Sequence, residues 1–142
     1  MTDLASILSG YFAGGTVPST LYVGLVDKAN YANFLPGVDT MASHSGWQEF
    51  TAYDEAARQA WTPGSVIGDS PASVNNPGAT TYNPNADGII KGVFLCDNSV
   101  KGGNTGTLYG PWFFAEGEQA AVAGVPFKAD IKITLFNNTP TG

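Results

Sequence analysis

Two runs of this chain are apolar on both parities. In LYVGLVD, residues 21–27, Leu21, Val23 and Leu25 alternate with Tyr22 and Val26, and GIIKGVFLC, residues 88–96, follows the same rule. A strand with one wet face alternates apolar with polar side chains, whereas one that is apolar throughout has to be covered on both faces. The chain therefore places at least two strands in the interior of a layered β structure.

The remaining residues extend this reading. Charged residues make up 13% of the chain, well under the usual quarter, while 18 glycines and 9 prolines supply turns. Apolar residues reach 43% of 142, enough for one domain with a real core. In SVIGDSPASVNNPGATTYNPNADG (65–88) turn residues dominate, with at most one short strand near Thr80 to Tyr82, and further strands are expected in TLYGPWFFAE (107–116), in QAAVAGVPF (119–127) and in ADIKITLFN (129–137). In the last of these Ile131, Ile133 and Leu135 alternate with Lys132 and Thr134, the mark of a half-exposed antiparallel strand. Gly110-Pro111 marks a bulge or a sheet edge. YDEAARQAW (53–61) has helical propensity, but Pro63-Gly64 closes it and extended segments around a loop are the preferred reading. Near the start, Leu4, Ile7, Leu8, Tyr11 and Phe12 fall at helical spacing ahead of Gly14-Gly15. The expected fold is mainly β, an antiparallel β-sandwich of jelly-roll-like type over residues 20–142, with a short N-terminal helix or arm over residues 1–19.

Several functions are disfavoured by charge and composition. A net charge of −6 and a pI near 4.4 oppose a nucleic-acid surface, which would have to neutralise phosphates. No apolar run approaches the roughly 18 residues of a membrane span. The start, with Asp3 and no positive n-region, does not read as a secretory signal. Cys96 is the only cysteine, so neither an internal disulfide nor a cysteine-based zinc site is available, and a buried apolar role is expected.

The stretch DTMASHSGWQEF, residues 39–50, holds the only histidine, His44, between Ser43 and Ser45. A serine–histidine–acid relay needs its members to converge in space, but no G-x-S-x-G elbow exists and both serines are immediate neighbours of the base. A histidine bonded within a turn is the preferred reading. Asp39 or Thr40 can cap a short helical turn through MASHSG, which Gly46 stops before Trp47. Glu49, Asp54 and Glu55 with Trp47 and Trp61 can be drawn as a glycosidase cleft, yet the same residues serve equally as rim and core. Asp27, Asp39, Asp54, Asp69, Asp87 and Asp97 lie in or beside loops without an EF-hand order, and KGGNTG (101–106) lacks that of a P-loop. The expectation is no enzyme, no cofactor and no metal. One binding alternative is a carbohydrate module with Trp47, Trp61 and Trp112 as a stacking platform.

Three phrases occur in order: LYVGLVD; DTMASHSGWQEF with AWTPG (60–64); and KGVFLCDNSVKGGNTGTLYG (91–110). Together they resemble a family of small structural proteins of tailed bacteriophages and prophages, over roughly residues 20–136 and most closely in DTMASHSGW and KGGNTGTLY. Members serve as capsid decoration, head or tail proteins. The resemblance implies a virion protein, made in the bacterial cytoplasm, without catalytic positions. The preferred role is capsid decoration (cement) bound to the major capsid protein on the outside of the head, with a tail or head-to-tail component as the alternative. It implies partners among other virion proteins and a homo-oligomer, a dimer or trimer, with no nucleic acid and no membrane. Leu4, Ile7, Leu8, Tyr11 and Phe12 are the candidate partner-binding residues. Asp39, Thr40, His44, Gly46 and Trp47 are read as a structural turn that leads the tryptophan into the core.

Overall fold

The computed structural model describes residues 20–61, 72–75 and 80–135, which are mainly β, with antiparallel pairing and no helix among them. The candidate partner-binding residues Leu4, Ile7, Leu8, Tyr11 and Phe12 lie outside the described residues. The strands are β1 (Leu21–Asp27), β2 (Gln59–Trp61), β3 (Ala72–Asn75), β4 (Thr80–Tyr82), β5 (Gly88–Cys96), β6 (Leu108–Phe113), β7 (Gln119–Ala121), β8 (Phe127–Ala129) and β9 (Lys132–Leu135).

The main sheet runs β2-β1-β5-β6, with β7 also paired to β5. β6 pairs with Gly92 to Cys96 and β7 with Gly88 to Ile90, so β7 resumes the lane that β6 leaves. On the other flank, β2 pairs with Leu21 to Val23, and Glu49 forms a bridge to Val26 further along β1. Residues 48–50 and β2 thus share one lane, with residues 51–58 leaving it between them. Two ribbons, β4–β8 and β3–β9, complete the described strands.

Each two-sided apolar run divides its side chains between two cores. Val23 and Leu25 of β1 join Ile90, Val93 and Leu95 of β5 in a core completed by Tyr82, Phe127 and Ala129 of the β4–β8 ribbon. On the opposite face Val26, Phe94, Cys96 and Leu108 pack with Met41 and Trp47, which come from loops. Gly24 makes this second core possible, because a Cβ there would collide with the Phe94 ring. The first core is stapled across layers by Tyr82, whose hydroxyl donates to the Val23 carbonyl and accepts from the Gln59 amide at 3.0 Å.

Three local expectations need correction. QAAVAGVPF is two strands, because a turn at Val122 to Val125, with Gly124 at φ 77°, separates β7 from β8. β3 forms in a stretch dominated by turn residues, where it pairs with β9 from Ala72↔Leu135 to Asn75↔Lys132. MASHSG does not form a helical turn: Thr40 and Ser43 bond to each other in both directions, N to O at 2.9 and 3.2 Å, closing a tight two-residue turn. For YDEAARQAW the extended reading matches, with a bridge at Tyr53 and strand β2 at its end.

Candidate functional site

The residues of DTMASHSGWQEF fold into a loop over the second core. Asp39 is buried, and its Oδ2 accepts from the Leu35 amide at 3.0 Å and from the Trp47 indole nitrogen at 3.1 Å. It therefore fastens both ends of the loop to the tryptophan rather than capping a helix. Thr40 Oγ1 accepts from the Ser43 amide at 3.1 Å. Gly46 allows close passage: its carbonyl accepts from the Ala32 and Asn33 amides at 2.7 and 3.0 Å, and a Cβ at position 46 would strike Asn33. Trp47 is fully buried against Phe94, with ring centroids 5.3 Å apart.

His44 stacks on Trp47 with centroids 4.1 Å apart, and its Nδ1 lies 3.0 Å from the Trp47 carbonyl oxygen. A carbonyl only accepts, so Nδ1 carries the proton and Nε2 is left as the acceptor of the neutral ring. Among the described residues no hydrogen bond joins His44 to a serine hydroxyl or a carboxylate, so the members of a relay are not brought together.

Glu49 is committed elsewhere, to Arg58. The guanidinium donates from Nε to Oε1 at 2.9 Å and from Nη2 to Oε2 at 2.7 Å, a two-pronged pair with the Arg58 side chain fully buried. Its remaining donors reach the carbonyls of Asn98 at 2.9 Å and Gly103 at 2.8 Å, and Cys96 Sγ at 3.2 Å. Glu49 Oε2 also accepts from the Gly102 amide at 2.8 Å. Burial works against the charged guanidinium, but the bonds and charge of Glu49 outweigh it, and the Arg58 pKa is pushed up. Burial likewise pushes the Cys96 thiol above its ordinary value, and Sγ lies 3.1 Å from the Asn98 carbonyl.

Sheet topology explains the meeting. Glu49 and Arg58 stand at the two ends of the excursion that leaves the β1 flank, while residues 98–103 follow the end of β5, the other neighbour of β1. Lys101 completes the fastening: Nζ donates to the Tyr53 and Glu55 carbonyls, both at 2.8 Å, and lies 4.5 Å from the Tyr53 ring centroid. DTMASHSGWQEF and KGGNTG, far apart in sequence, are thus tied together through one arginine.

A cleft of about 250 Å³ opens where the two phrases meet, lined by His44, Gln48 and Glu49 on one side and Gly102 to Asn104 on the other, with Met41, Trp47 and Phe94 beneath. Asp69 lies outside the described residues, and the other acidic candidates are placed apart from the cleft with partners of their own. Asp27 accepts from Ala29 N, Asp87 from Ala123 N and Asp97 from Thr107 N, at 3.0, 2.9 and 2.7 Å, while Asp54 accepts from Asn85 Nδ2 at 3.2 Å. Desolvation pushes the Glu55 carboxyl up, but bonds from Asn83 and the charge of Lys101 hold it below the usual carboxylate range. The stacking platform is not assembled either. Trp47 and Trp61 are buried, and only Trp112 of the three is exposed, at 41%. Compared with models of known protein families, with curated proteins and with solved structures, the chain matches none.

Sequence reasoning missed Arg58. It is the only arginine of the chain, in a sequence with few charges, and it stands between Ala56-Ala57 and Ala60-Trp61. That combination was the available signal for a buried, multiply bonded cation.

Proposed function

We propose that this chain is a non-enzymatic structural protein of a bacteriophage virion, with capsid decoration as the preferred role. In this reading it is a β-sandwich of jelly-roll-like type that binds the major capsid protein and stabilises the head. The observation that carries it is the convergence on Arg58 and Glu49. The two phrases with the closest likeness to phage structural proteins meet in the fold, and their polar groups go into fastening loops. His44 holds a turn, Glu49 holds an arginine, and Asp39 holds an indole, which is how a compact shell component without disulfides gains rigidity. Repeated modest contacts on a symmetric lattice then supply the attachment, since avidity multiplies weak interfaces.

Gold labelling of intact particles with an antibody to this chain, viewed by electron microscopy, tests the role. Label distributed over the heads is the expected result. Label confined to the neck or tail overturns decoration in favour of the head-to-tail or tail alternative, and absence of the protein from purified particles by mass spectrometry overturns the virion role.

A further inference from the structure

The cleft between DTMASHSGWQEF and KGGNTG carries polar groups in its lining that the fold leaves idle. Among the described residues, His44 Nε2 and the side-chain carboxamides of Gln48 and Asn104 make no hydrogen bond. His44 gives one ring face to Trp47 and its Nδ1 proton to the Trp47 carbonyl, so its other face and Nε2 are what remain for the cleft. The groups around these three are committed. Glu49 accepts from Arg58 through both oxygens and from the Gly102 amide, while the Gly103 carbonyl accepts from Arg58 and the Gly103 amide donates to the Val100 carbonyl. The walls are therefore fixed before a ligand arrives, and a preformed site gives up little freedom on binding.

The lining selects by chemistry. Its carboxylate, Glu49, is neutralised by a buried guanidinium, and the His44 ring is neutral, so an ion of either sign finds no counter-charge. An apolar molecule finds no surface to cover, because Met41 at 1% exposure and Trp47 and Phe94 at 0% are sealed beneath. What fits is a neutral molecule that donates to Nε2 and both donates to and accepts from the two carboxamides. Hydroxyls do both, and neighbouring hydroxyls on a ring match the donor and acceptor of a carboxamide together. The volume of about 250 Å³ lies below that of a pocket for a drug-sized ligand, and it suits a single ring better than a chain.

We propose that the cleft binds one neutral sugar ring, with His44 Nε2, Gln48 and Asn104 as its hydrogen-bonding partners. A free monosaccharide and the terminal residue of a glycan present the same hydroxyls. The binding goes beyond the virion role and does not depend on it, so failure of either leaves the other standing.

The whole protein is titrated with glucose, galactose, mannose and N-acetylglucosamine, and with their methyl glycosides, which stand for a glycan end, while the ring protons of His44 are followed by NMR. His44 is the only histidine, so its signals are unambiguous. A saturable shift in the millimolar range is expected with at least one sugar, since hydrogen bonds exchanged with water contribute little each. Gln48→Ala and Asn104→Ala, whose side chains bond to nothing in the described fold, should each weaken binding about fivefold. Trp112→Ala, outside the cleft, should leave it unchanged. Equal binding of sugar and glycoside supports the proposal with a glycan end as the source, and binding of the free sugar alone supports it with a free ligand. No saturable shift with any of these probes overturns it. Binding that Trp112→Ala removes and the two carboxamide variants spare also overturns it, by placing the sugar elsewhere. Shifts of the same size with N-methylacetamide overturn it in favour of a peptide amide.

Discussion

The two faces of the main sheet are closed in different ways. On one face the cover is a ribbon of strands, β4 and β8, and the core between is apolar apart from the hydroxyl of Tyr82 and the polar atoms of Tyr53, Tyr109 and Trp61. On the other face the cover is loop, and charged groups enter it: Arg58, Glu49 and Asp39. The reason is backbone accounting. Strands pair their own amides and carbonyls in ladders, so their side chains are free to be apolar. Loops bring unpaired backbone groups inward, and each needs a partner. On the loop face the amides of Leu35 and Gly102 and the carbonyls of Asn98 and Gly103 find theirs in those three side chains.

If that account is right, the loop face fails through charge and the strand face through volume. The largest effect is expected from Arg58→Met, which leaves the Glu49 carboxylate buried and unpaired, at a cost of about 4 kcal/mol. Urea unfolding checks it. Glu49→Leu added to Arg58→Met sharpens the comparison. The double variant should recover part of the loss but not all, because the Gly102 amide and the Gly103 carbonyl still lack the partners that Glu49 and Arg58 gave them. Full recovery would break the accounting and leave the ion pair as a mere substitute for apolar packing.

Leu95→Ala is the matching wound on the strand face. Leu95 is fully buried in β5, and a cavity there is expected to cost about 3 kcal/mol with an unchanged denaturant slope. Adding Arg58→Met should be nearly additive if the two coats are independent; strong coupling would show that the sheet transmits damage between them. Next in size is Asp39→Ala, which removes the acceptor for the Trp47 indole and the Leu35 amide and is expected to cost about 2 kcal/mol. Its distinguishing readout is tryptophan emission, shifted to the red as Trp47 gains access to water.

What could be read from the sequence follows the same division. The strand face was legible, because apolar side chains on both parities of LYVGLVD and GIIKGVFLC are a local signal of a two-sided strand, and both strands appear where the pattern puts them. The loop face was legible only in part. His44 and Trp47 belong to one turn and could be related from their spacing. Arg58 could not, since the partners that complete its shell, Cys96, Asn98 and Gly103, lie about forty residues away and are brought near by the order β2-β1-β5. Helical propensity in YDEAARQAW pointed away from it, because propensity weighs the neighbours of a residue and not the carbonyls that will surround it. β3 escaped for a related reason, its partner β9 being remote in sequence and its own composition that of a turn.

The finest test concerns the one polar device of the strand face. Tyr82→Phe removes the hydroxyl that donates to Val23 and accepts from Gln59, and about 1 kcal/mol is expected to be lost near neutral pH. Its effect in alkali should run the other way. Burial raises the pKa of Tyr82 above the ordinary 10.0, and burial raises that of Tyr53 with it. In the folded chain both phenols therefore keep their protons where the unfolded chain has released them. Their contribution to stability is full below about pH 10 and is lost as the pH climbs above that value, because unfolding there releases protons. The wild-type stability curve should fall between pH 10 and 12, and that of Tyr82→Phe should fall less steeply, since one of the three phenols whose pKa burial raises, Tyr53, Tyr82 and Tyr109, is gone. Unfolding in urea at several alkaline pH values, with phenolate absorbance as the proton count, separates the contributions. Equal slopes in the two proteins would mean that Tyr82 already titrates in the folded state, and the sealed strand face would have to be redrawn as one that water reaches.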